Sequence, residues 1–163
     1  MITNQWICGN GDLADVIAVR ESVFVAEQGF AREDEFDLFD EQAMHVVIYD
    51  GERPIGTGRL YHDGKTFKIG RLCVLAEERG QGVGDLMMRL LLVKAFEFDP
   101  SEVRLDAQER AKGFYENFGF EADGAVVHEA GIPHVPMRVT KESLLLKSGC
   151  GKELRYGDLF PAK

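Results

Sequence analysis

The hexapeptide RGQGVG, Arg79 to Gly84, separates the apolar run IGRLCVL (69–75) from the long apolar segment DLMMRLLLVKAF (85–96). Within a helix each glycine costs roughly 1 kcal/mol relative to alanine, so three of them at a helix start indicate that the backbone itself serves a purpose. The first turn of a helix has N–H groups without intrahelical acceptors and a partial positive charge, which together suit a phosphate. Taken alone, the glycines fit a tight turn equally well.

Length and composition describe one globular domain. The 163 residues are 45% hydrophobic and 29% charged, and no apolar run is long enough to span a bilayer. The N-terminal sequence lacks the basic and then apolar pattern of a secretion signal. Cys8, Cys73 and Cys150 are odd in number and lack metal-ligand spacing, which argues against disulfides and a zinc site. We therefore expect a cytoplasmic protein with reduced thiols, no membrane partner and no metal.

The chain is strongly acidic. Twenty-eight acidic residues against 19 basic ones give a formal net charge of −9, the wrong sign for binding a nucleic-acid backbone. A cationic partner would be attracted to such a surface, although acidity also simply keeps a protein soluble. We therefore expect no nucleic-acid partner.

The first half of the chain is predicted to contain one long helix and several strands. An apolar stretch from Gln5 to Cys8 predicts a strand, and Asp12 can cap a helix that keeps helical spacing to about Gln28. The acidic, aromatic stretch FAREDEFDLFDEQA (30–43) has no period and indicates a loop or a short irregular helix. Strands in an antiparallel meander follow, with turns at Asp50-Gly51 and Asp63-Gly64: MHVVIYD (44–50), RPIGTGRLYH (53–62) and FKIGRLCVL (67–75).

The second half begins with the glycine loop and a helix from about Gly84 to Phe98. That helix is apolar on nearly every side and should be deeply packed. The next elements are a strand EVRLDAQ (102–108), a helix ERAKGFYENFGF (109–120) closed by Gly119, and the last strands AVVHEA (125–130) and HVPMRV (134–139). The tail from Lys141 to Lys163 is predicted as a helix over ESLLLK (142–147) followed by coil.

The order β-α-β-β-β-α-β-α-β-β predicts an α/β protein of the mixed α+β kind, with a mostly antiparallel central sheet flanked by helices. It is not the order of a doubly wound dinucleotide-binding domain. Gly80, Gly82 and Gly84 give only G-x-G-x-G, without the acidic residue that such domains place after the second strand. No Gly-Lys-Ser/Thr follows either, which excludes a P-loop. The glycines therefore need another kind of phosphate site.

Two motifs resemble the signatures of the GNAT superfamily of N-acetyltransferases. RGQGVG matches the pyrophosphate loop Q/R-x-x-G-x-G/A at Arg79, Gly82 and Gly84. AKGFYENFGF (111–120) resembles the A-x-x-F-Y-x-x-x-G-F segment, and a strand lies between the two motifs in the usual order. The glycine cluster then favours phosphate binding over a simple turn.

Further segments are similar to the ElaA-like branch of small bacterial-type acetyltransferases. They include RESVFVAEQGF, DEQAMH, LDAQERAKGFY and EAGIPHVPMRV. The similarity covers about residues 15–140. It predicts a GNAT domain over 1–140 and leaves residues 141–163 as a C-terminal extension whose structure it does not address.

The resemblance implies a GNAT acyltransferase fold and an N-acetyltransferase with acetyl-CoA as its cosubstrate. It assigns the coenzyme A pyrophosphate to the backbone of Arg79, Gly80, Gln81, Gly82, Val83 and Gly84. The pantetheine arm is assigned to the backbone of Leu72, Cys73 and Val74, and further cofactor contacts to Gln108, Phe114 and Tyr115. Gln108, which stands where many relatives carry asparagine, suits a hydrogen bond to pantetheine or acceptor and equally suits a helix cap.

Tyr115 is the catalytic residue that the resemblance implies. A tyrosine with an ordinary pKa of about 10 is able to protonate the leaving thiolate of coenzyme A. From spacing alone, Tyr115 is instead a half-buried helix residue beside Phe114 and Phe118. The motif favours the role of an acid.

The base that takes the amine proton is left open. Many relatives use a carboxylate on the strand before the glycine loop, but KIGRLCVL has none. The candidates for the base or for acceptor binding are Glu27, His45, Asp106, Glu129 and His134, each of which also fits a structural or surface role.

The acidic run from Glu33 to Glu41 is either a wall of the acceptor pocket or a solvated loop. Its EFDLFD string, with Arg20 and Phe24 upstream, also resembles acyl-homoserine-lactone synthases. A GNAT-like module that binds acyl-CoA without turnover is a third alternative. We prefer an acetyltransferase for a small amine acceptor, and frequent dimers among relatives make a homodimer an expectation.

Overall fold

The first part of the chain contains a series of antiparallel strands. The computed structural model describes residues 1–147 and 150–162 and divides into two compact units, Met1–Phe98 and Asp99–Lys163. The predicted boundary at residues 140/141 does not coincide with this division and stays a prediction. In the first unit the strands pair in the order β1-β2-β3-β4, with bounds Ile2–Cys8, Met44–Asp50, Arg53–His62 and Phe67–Val74. The predicted meander is confirmed, and β1 starts earlier than predicted.

The first helix changes its hydrogen-bond pattern halfway. Helix α1 spans Ala14–Arg20 and continues as a π-helix over Glu21–Glu27. The predicted cap is wrong: Leu13 is the Ncap residue and has no side-chain cap bond, and Asp12, one residue earlier, accepts the N–H of Ala14 at 2.9 Å. The N–H of Gln28 donates at 3.0 Å to the carbonyl of Val23, five residues back, which makes this last turn wider than an α turn. The predicted extent of the helix is confirmed, but its uniform α pitch is wrong.

Short helical turns occupy the acidic stretch that follows. Helix α2 spans Arg32–Glu35, and a 3₁₀ turn spans Leu38–Glu41. Asp37 caps that turn, since its carboxylate accepts the N–H of Phe39 at 3.0 Å. The prediction of a short irregular helix is confirmed.

Helix α3, Val83–Phe96, packs closely on β3. A Cβ atom on Gly58 would lie 2.9 Å from Leu91 Cδ1, and one on Gly56 would lie 3.3 Å from Val83 Cγ1. Glycine at both positions therefore allows the close approach. Half of the residues of this helix are buried, which confirms the predicted deep packing: Val83, Met87, Met88, Leu91, Leu92, Ala95 and Phe96.

The second unit is built around one long pair of antiparallel strands. Strand β5, Glu102–Gln108, pairs antiparallel with β8, Ile132–Thr140. The short strands β6, Glu121–Ala122, and β7, Val127–Glu129, also pair with β8. A 3₁₀ turn over Glu109–Ala111 leads into helix α4, Lys112–Glu116. The predicted strand over 125–130 forms only from Val127 to Glu129.

The tail contains defined structure. Strands β9, Leu146–Lys147, and β10, Glu153–Leu154, pair antiparallel and precede helix α5, Tyr156–Leu159. The predicted helix over 142–147 is wrong. Leu144 and Leu146 are buried on alternate positions while the N–H of Leu145 bonds to a neighbouring segment, which is the pattern of extended chain.

The described residues include no helix that is both long and apolar enough to cross a membrane.

Candidate active site

The glycine loop adopts a backbone that requires glycine. Gly80 and Gly82 have φ angles of +79° and +83°, in the left-handed region that other residues avoid. A Cβ on either glycine would meet no atom within 4 Å, so open space lies beside both. Gly82 is the Ncap residue of α3, and the first N–H groups of such a helix have no intrahelical acceptor. This backbone is suited to an anion.

Arg79 is held by a carboxylate in the first unit. Its Nη1 and Nη2 each donate to Glu27 at 2.8 Å, and its Nε donates to the carbonyl of Val74 at 3.0 Å. The hydrogen bonds and charge of Glu27 raise the pKa of Arg79. The structure thus brings together two of the predicted site residues as one ion pair, which the sequence did not indicate.

The strand before the loop carries a bulge. Arg71 has φ +50°, and the register between β3 and β4 shifts between Thr57 and Arg59. Beyond the bulge, Leu72 and Val74 are half-buried and Cys73 is buried. Burial raises the pKa of the Cys73 thiol, so it is not a thiolate nucleophile at neutral pH.

Ion pairs between three arginines and three carboxylates anchor the acidic run. We call this set the arginine–carboxylate cluster; its members are Arg20, Arg59, Arg71, Glu35, Asp37 and Asp40. Arg20 donates to Glu35 at 2.9 Å and to Asp40 at 2.6 Å, and Arg59 donates to Asp40 at 2.8 Å. Within the run, Glu35 and Asp40 are buried whereas Glu33, Asp34 and Glu41 are exposed, so the interpretation as a solvated loop holds for only part of the run.

Burial and ion pairing oppose each other within the cluster. Burial pushes the pKa of Asp40 upward, but hydrogen bonds and charges from Arg20 and Arg59 outweigh it and hold the pKa below its usual value. At Glu35, burial outweighs the arginine charges and raises the pKa. Asp40 is therefore a firmly ionised member of the cluster at neutral pH.

His45 lies next to the arginine–carboxylate cluster. Its ring is buried, with Nε2 2.9 Å from the carbonyl oxygen of Asp40, and its Nδ1 has no hydrogen-bond partner among the described residues. Burial lowers the pKa of His45, so the ring is neutral at pH 7. This placement favours the structural role of His45 over contact with an acceptor.

In the second unit, Tyr115 lies on α4 among aromatic rings. Its ring is half-buried, with its centroid 5.2 Å from that of Phe114 and 6.1 Å from that of Phe120, both edge-to-face. Of the packing that spacing alone predicted, the contact with Phe114 is present, while Phe118 packs on Phe114 instead, with ring centroids 5.3 Å apart. This packing does not decide the role of the hydroxyl. Gln108 precedes this region, and its side chain accepts from Arg110 Nε at 3.0 Å. It makes no side-chain cap, so that alternative is wrong.

The remaining candidates lie on β5, β7 and β8. His134 Nδ1 is 2.8 Å from the carbonyl oxygen of Ile132, and its Nε2 is 3.7 Å from Glu129. Because Nδ1 must donate to that carbonyl, a neutral ring keeps its basic lone pair on Nε2. Asp106 lies on β5 opposite Pro136. Two candidates, Glu129 and His134, are thus brought together.

Among the described residues, no group of three or more histidine, cysteine, aspartate or glutamate side chains is arranged to hold a metal ion.

Comparison with known proteins decides the family. The model of the acetyltransferase (GNAT) domain matches residues 18–141. The chain belongs to the GNAT acetyltransferase family. Both sequence motifs fall inside the matched range, and the predicted GNAT fold is confirmed.

Relatives of this GNAT protein agree with that assignment. It is 39% identical over 126 residues to the uncharacterized N-acetyltransferase YjcF of Bacillus subtilis, which covers 77% of this chain and 90% of YjcF. Escherichia coli ElaA has a similar structure, with a TM-score of 0.77, 28% identity and coverage of 85% of this chain and 99% of ElaA. An acyl-CoA N-acyltransferase from Pseudomonas aeruginosa gives a TM-score of 0.76 at 27% identity, with coverage of 85% and 99%. The resemblance to ElaA-like proteins is confirmed.

Sequence reasoning missed the arginine–carboxylate cluster of this GNAT protein. One signal was available: Arg20 and Arg59 stand inside apolar segments, and a buried arginine requires a carboxylate partner. The spacing of Glu35, Asp37 and Asp40 did not by itself reveal that they face inward.

Proposed function

We propose that this GNAT protein transfers an acetyl group from acetyl-CoA to the primary amine of a small molecule. The observation that carries the proposal is the loop from Arg79 to Gly82, in a chain of the GNAT family. Two glycines of this loop have left-handed backbones and lie directly before the buried helix α3. The structural likeness to an acyl-CoA N-acyltransferase supports a coenzyme A thioester as the donor.

Main-chain groups, rather than the Arg79 side chain, are the proposed pyrophosphate ligands. Each nitrogen of the Arg79 guanidinium already donates to Glu27 or Val74. The open space beside Gly80 and Gly82 leaves the N–H groups around them accessible to phosphate oxygens. An anion at this helix start is also favoured by the helix dipole.

The proposed reaction is attack of a neutral amine on the thioester carbonyl carbon. A carbon–nitrogen bond forms, the carbon–sulfur bond breaks, and the amine loses one proton to a base. Tyr115 gives its hydroxyl proton to the leaving thiolate of coenzyme A. His134, oriented by the carbonyl of Ile132, is the best-prepared of the candidate bases, and Asp106 and Glu129 are the alternatives.

The proposal also covers the acceptor, the assembly and the location of the protein. The charge of −9 favours a cationic small molecule over a nucleic acid. Cys8, Cys73 and Cys150 are all unpaired, which fits a reducing cytoplasm. A homodimer is proposed from the resemblance alone, and sedimentation of the purified protein measures the oligomeric state.

We rank the synthase alternative below acetyl transfer. Its motif residues Glu35, Asp37 and Asp40 all pair with arginines, and this pairing explains their presence without a substrate. Thiol release in the presence of a panel of amines supports acetyl transfer. Dependence on S-adenosylmethionine would instead support the synthase, and coenzyme binding without turnover would support a sensor.

Replacing Gly82 by aspartate or asparagine tests the loop. Both side chains tolerate the left-handed backbone and have nearly the same shape, so they differ chiefly in charge. We expect Gly82→Asp to weaken coenzyme A binding at least tenfold more than Gly82→Asn, by roughly 1.4 kcal/mol or more, measured by calorimetry. Equal affinities in the two variants, with equal thermal stability, would show that no diphosphate binds at this helix start.

A further inference from the structure

The chain after β8 packs directly on the turn that ends helix α4. The N–H of Leu145 donates to the carbonyl of Phe118 at 3.1 Å. A Cβ on Gly119 would lie 1.8 Å from the carbonyl oxygen of Ser143, so only a glycine fits against this segment. We call residues 140–146 the C-terminal brace. All but its first two residues lie beyond the range 18–141 that matches the family.

The brace has an ordered structure of its own. The backbone N–H of Thr140 donates to Ser143 Oγ at 2.9 Å, and the N–H of Ser143 donates to Thr140 Oγ1 at 3.2 Å. The N–H of Leu144 donates to the carbonyl of Thr140 at 2.9 Å, and Leu144 and Leu146 are 1% and 3% exposed. These bonds and the buried leucines make the brace a fixed support.

The turn that the brace contacts is hydrogen-bonded to the main chain of Tyr115. The carbonyl of Tyr115 accepts the N–H groups of Phe118 at 3.0 Å and Phe120 at 3.4 Å, and Gly119 has φ +90°. This is the Schellman arrangement that ends many helices. Helix α4 has only five residues, so its own hydrogen bonds hold it weakly and the closing turn matters more.

We infer that the C-terminal brace positions Tyr115 for proton donation. The brace is a positioning element, since it contacts Phe118 and Gly119 in the turn that closes the helix of Tyr115. The inference rests on the proposed function, in which the Tyr115 hydroxyl protonates the leaving thiolate. It gives the segment beyond the family match a role in the reaction.

The variant Ser143→Ala tests this role, because it removes a hydroxyl that orders the brace and keeps the buried leucines. We expect kcat to fall by roughly threefold to tenfold with an unchanged KM for acetyl-CoA, since small displacements of a catalytic group are costly. In a Tyr115→Phe background the same change should cause no further loss. Glu142→Ala, an exposed residue in the same turn, is the matched control and should leave kcat unchanged.

Amide hydrogen exchange gives a readout that does not need turnover. Ser143→Ala should speed exchange at Phe118 and Phe120, and Glu142→Ala should not. An equal loss of kcat with and without Tyr115 would overturn the inference, as would unchanged exchange. If the unaltered protein transfers no acetyl group, the proposed function fails and the catalytic role of the brace fails with it, while faster exchange still shows that the brace holds the turn.

Discussion

A single hydroxyl group carries the proposed acid chemistry. We expect Tyr115→Phe to lower kcat by roughly tenfold to a hundredfold, because general acid catalysis contributes at least that much, while KM for acetyl-CoA changes little. The ring keeps its contacts with Phe114 and Phe120, so folding should be unaffected. Steady-state kinetics measure both constants. Tyr61→Phe removes the same atom from β3, in the first unit, and is the control; an unchanged kcat in Tyr115→Phe would remove this residue from the mechanism.

Glu27 sets the charge beside the proposed pyrophosphate site. Its carboxylate is paired with Arg79, and both side chains are partly exposed. Replacing it by glutamine removes one negative charge near the loop, and we expect coenzyme A to bind about two- to threefold more tightly at low salt. Titration calorimetry at two salt concentrations measures the change, which added salt should erase.

The control for this change is Glu77→Gln, an exposed carboxylate nearby that pairs with Arg53 instead. It should alter coenzyme affinity less than Glu27→Gln does. Weaker binding in Glu27→Gln would mean that the pair with Arg79 holds the loop in shape, which outweighs the charge effect.

At the scale of elements, the acidic run ties α1, β3 and β4 together. Asp40 accepts hydrogen bonds from Arg20 and Arg59, so Asp40→Asn should lower the free energy of unfolding by about 3 kcal/mol. This is the low end for a broken buried pair, because each arginine keeps another carboxylate. Urea unfolding at pH 7 measures the loss. Glu41→Gln, exposed and adjacent, should change the stability by less than about 0.5 kcal/mol.

The same substitution has a defined pH dependence. The pKa of Asp40 is lower in the folded protein than in the unfolded chain, so its stabilisation is complete above about pH 4 and is lost as the pH falls through the folded value. The difference between the unaltered protein and Asp40→Asn should therefore shrink below about pH 4. A difference that is constant from pH 7 to pH 3 would show that the ionised carboxylate is not what stabilises the loop.

Elements with clear boundaries in the sequence were predicted well. Strands β2 to β4 are separated by the turns at Asp50-Gly51 and Asp63-Gly64, and α3 is a long apolar segment that begins directly after the glycine loop. The π-helical half of the first helix was missed, because a change of hydrogen-bond partner leaves the apolar side nearly unchanged over two turns. Residues 142–147 were predicted as helix because three consecutive leucines fit either period. The structure has a turn over residues 141–143 instead, after which Leu145 bonds to Phe118.

For the whole molecule, the features of the candidate site that could be predicted are those that depend on residue types within one short segment. The glycines of the loop indicated that its backbone serves a purpose, which agrees with the left-handed Gly80 and Gly82, and the motif around Tyr115 indicated the family. The pairing of Glu27 with Arg79 joins residues 52 positions apart, and no local pattern records it. Long-range pairing of charges is thus what the sequence could not supply.

The net charge of −9 acts on every ligand that approaches the molecule. Coenzyme A is anionic and a protonated amine acceptor is cationic, so the same field should slow the first encounter and speed the second. Because salt screens exposed charges over about 10 Å at 0.1 M, we expect added salt to raise kcat/KM for acetyl-CoA and lower it for a dicationic amine, each by roughly two- to fivefold. A monocationic amine of equal length is the control and should respond less. Changes of the same sign for both substrates would show that local groups, such as the helix start at Gly82, govern the encounter instead of the whole-molecule charge.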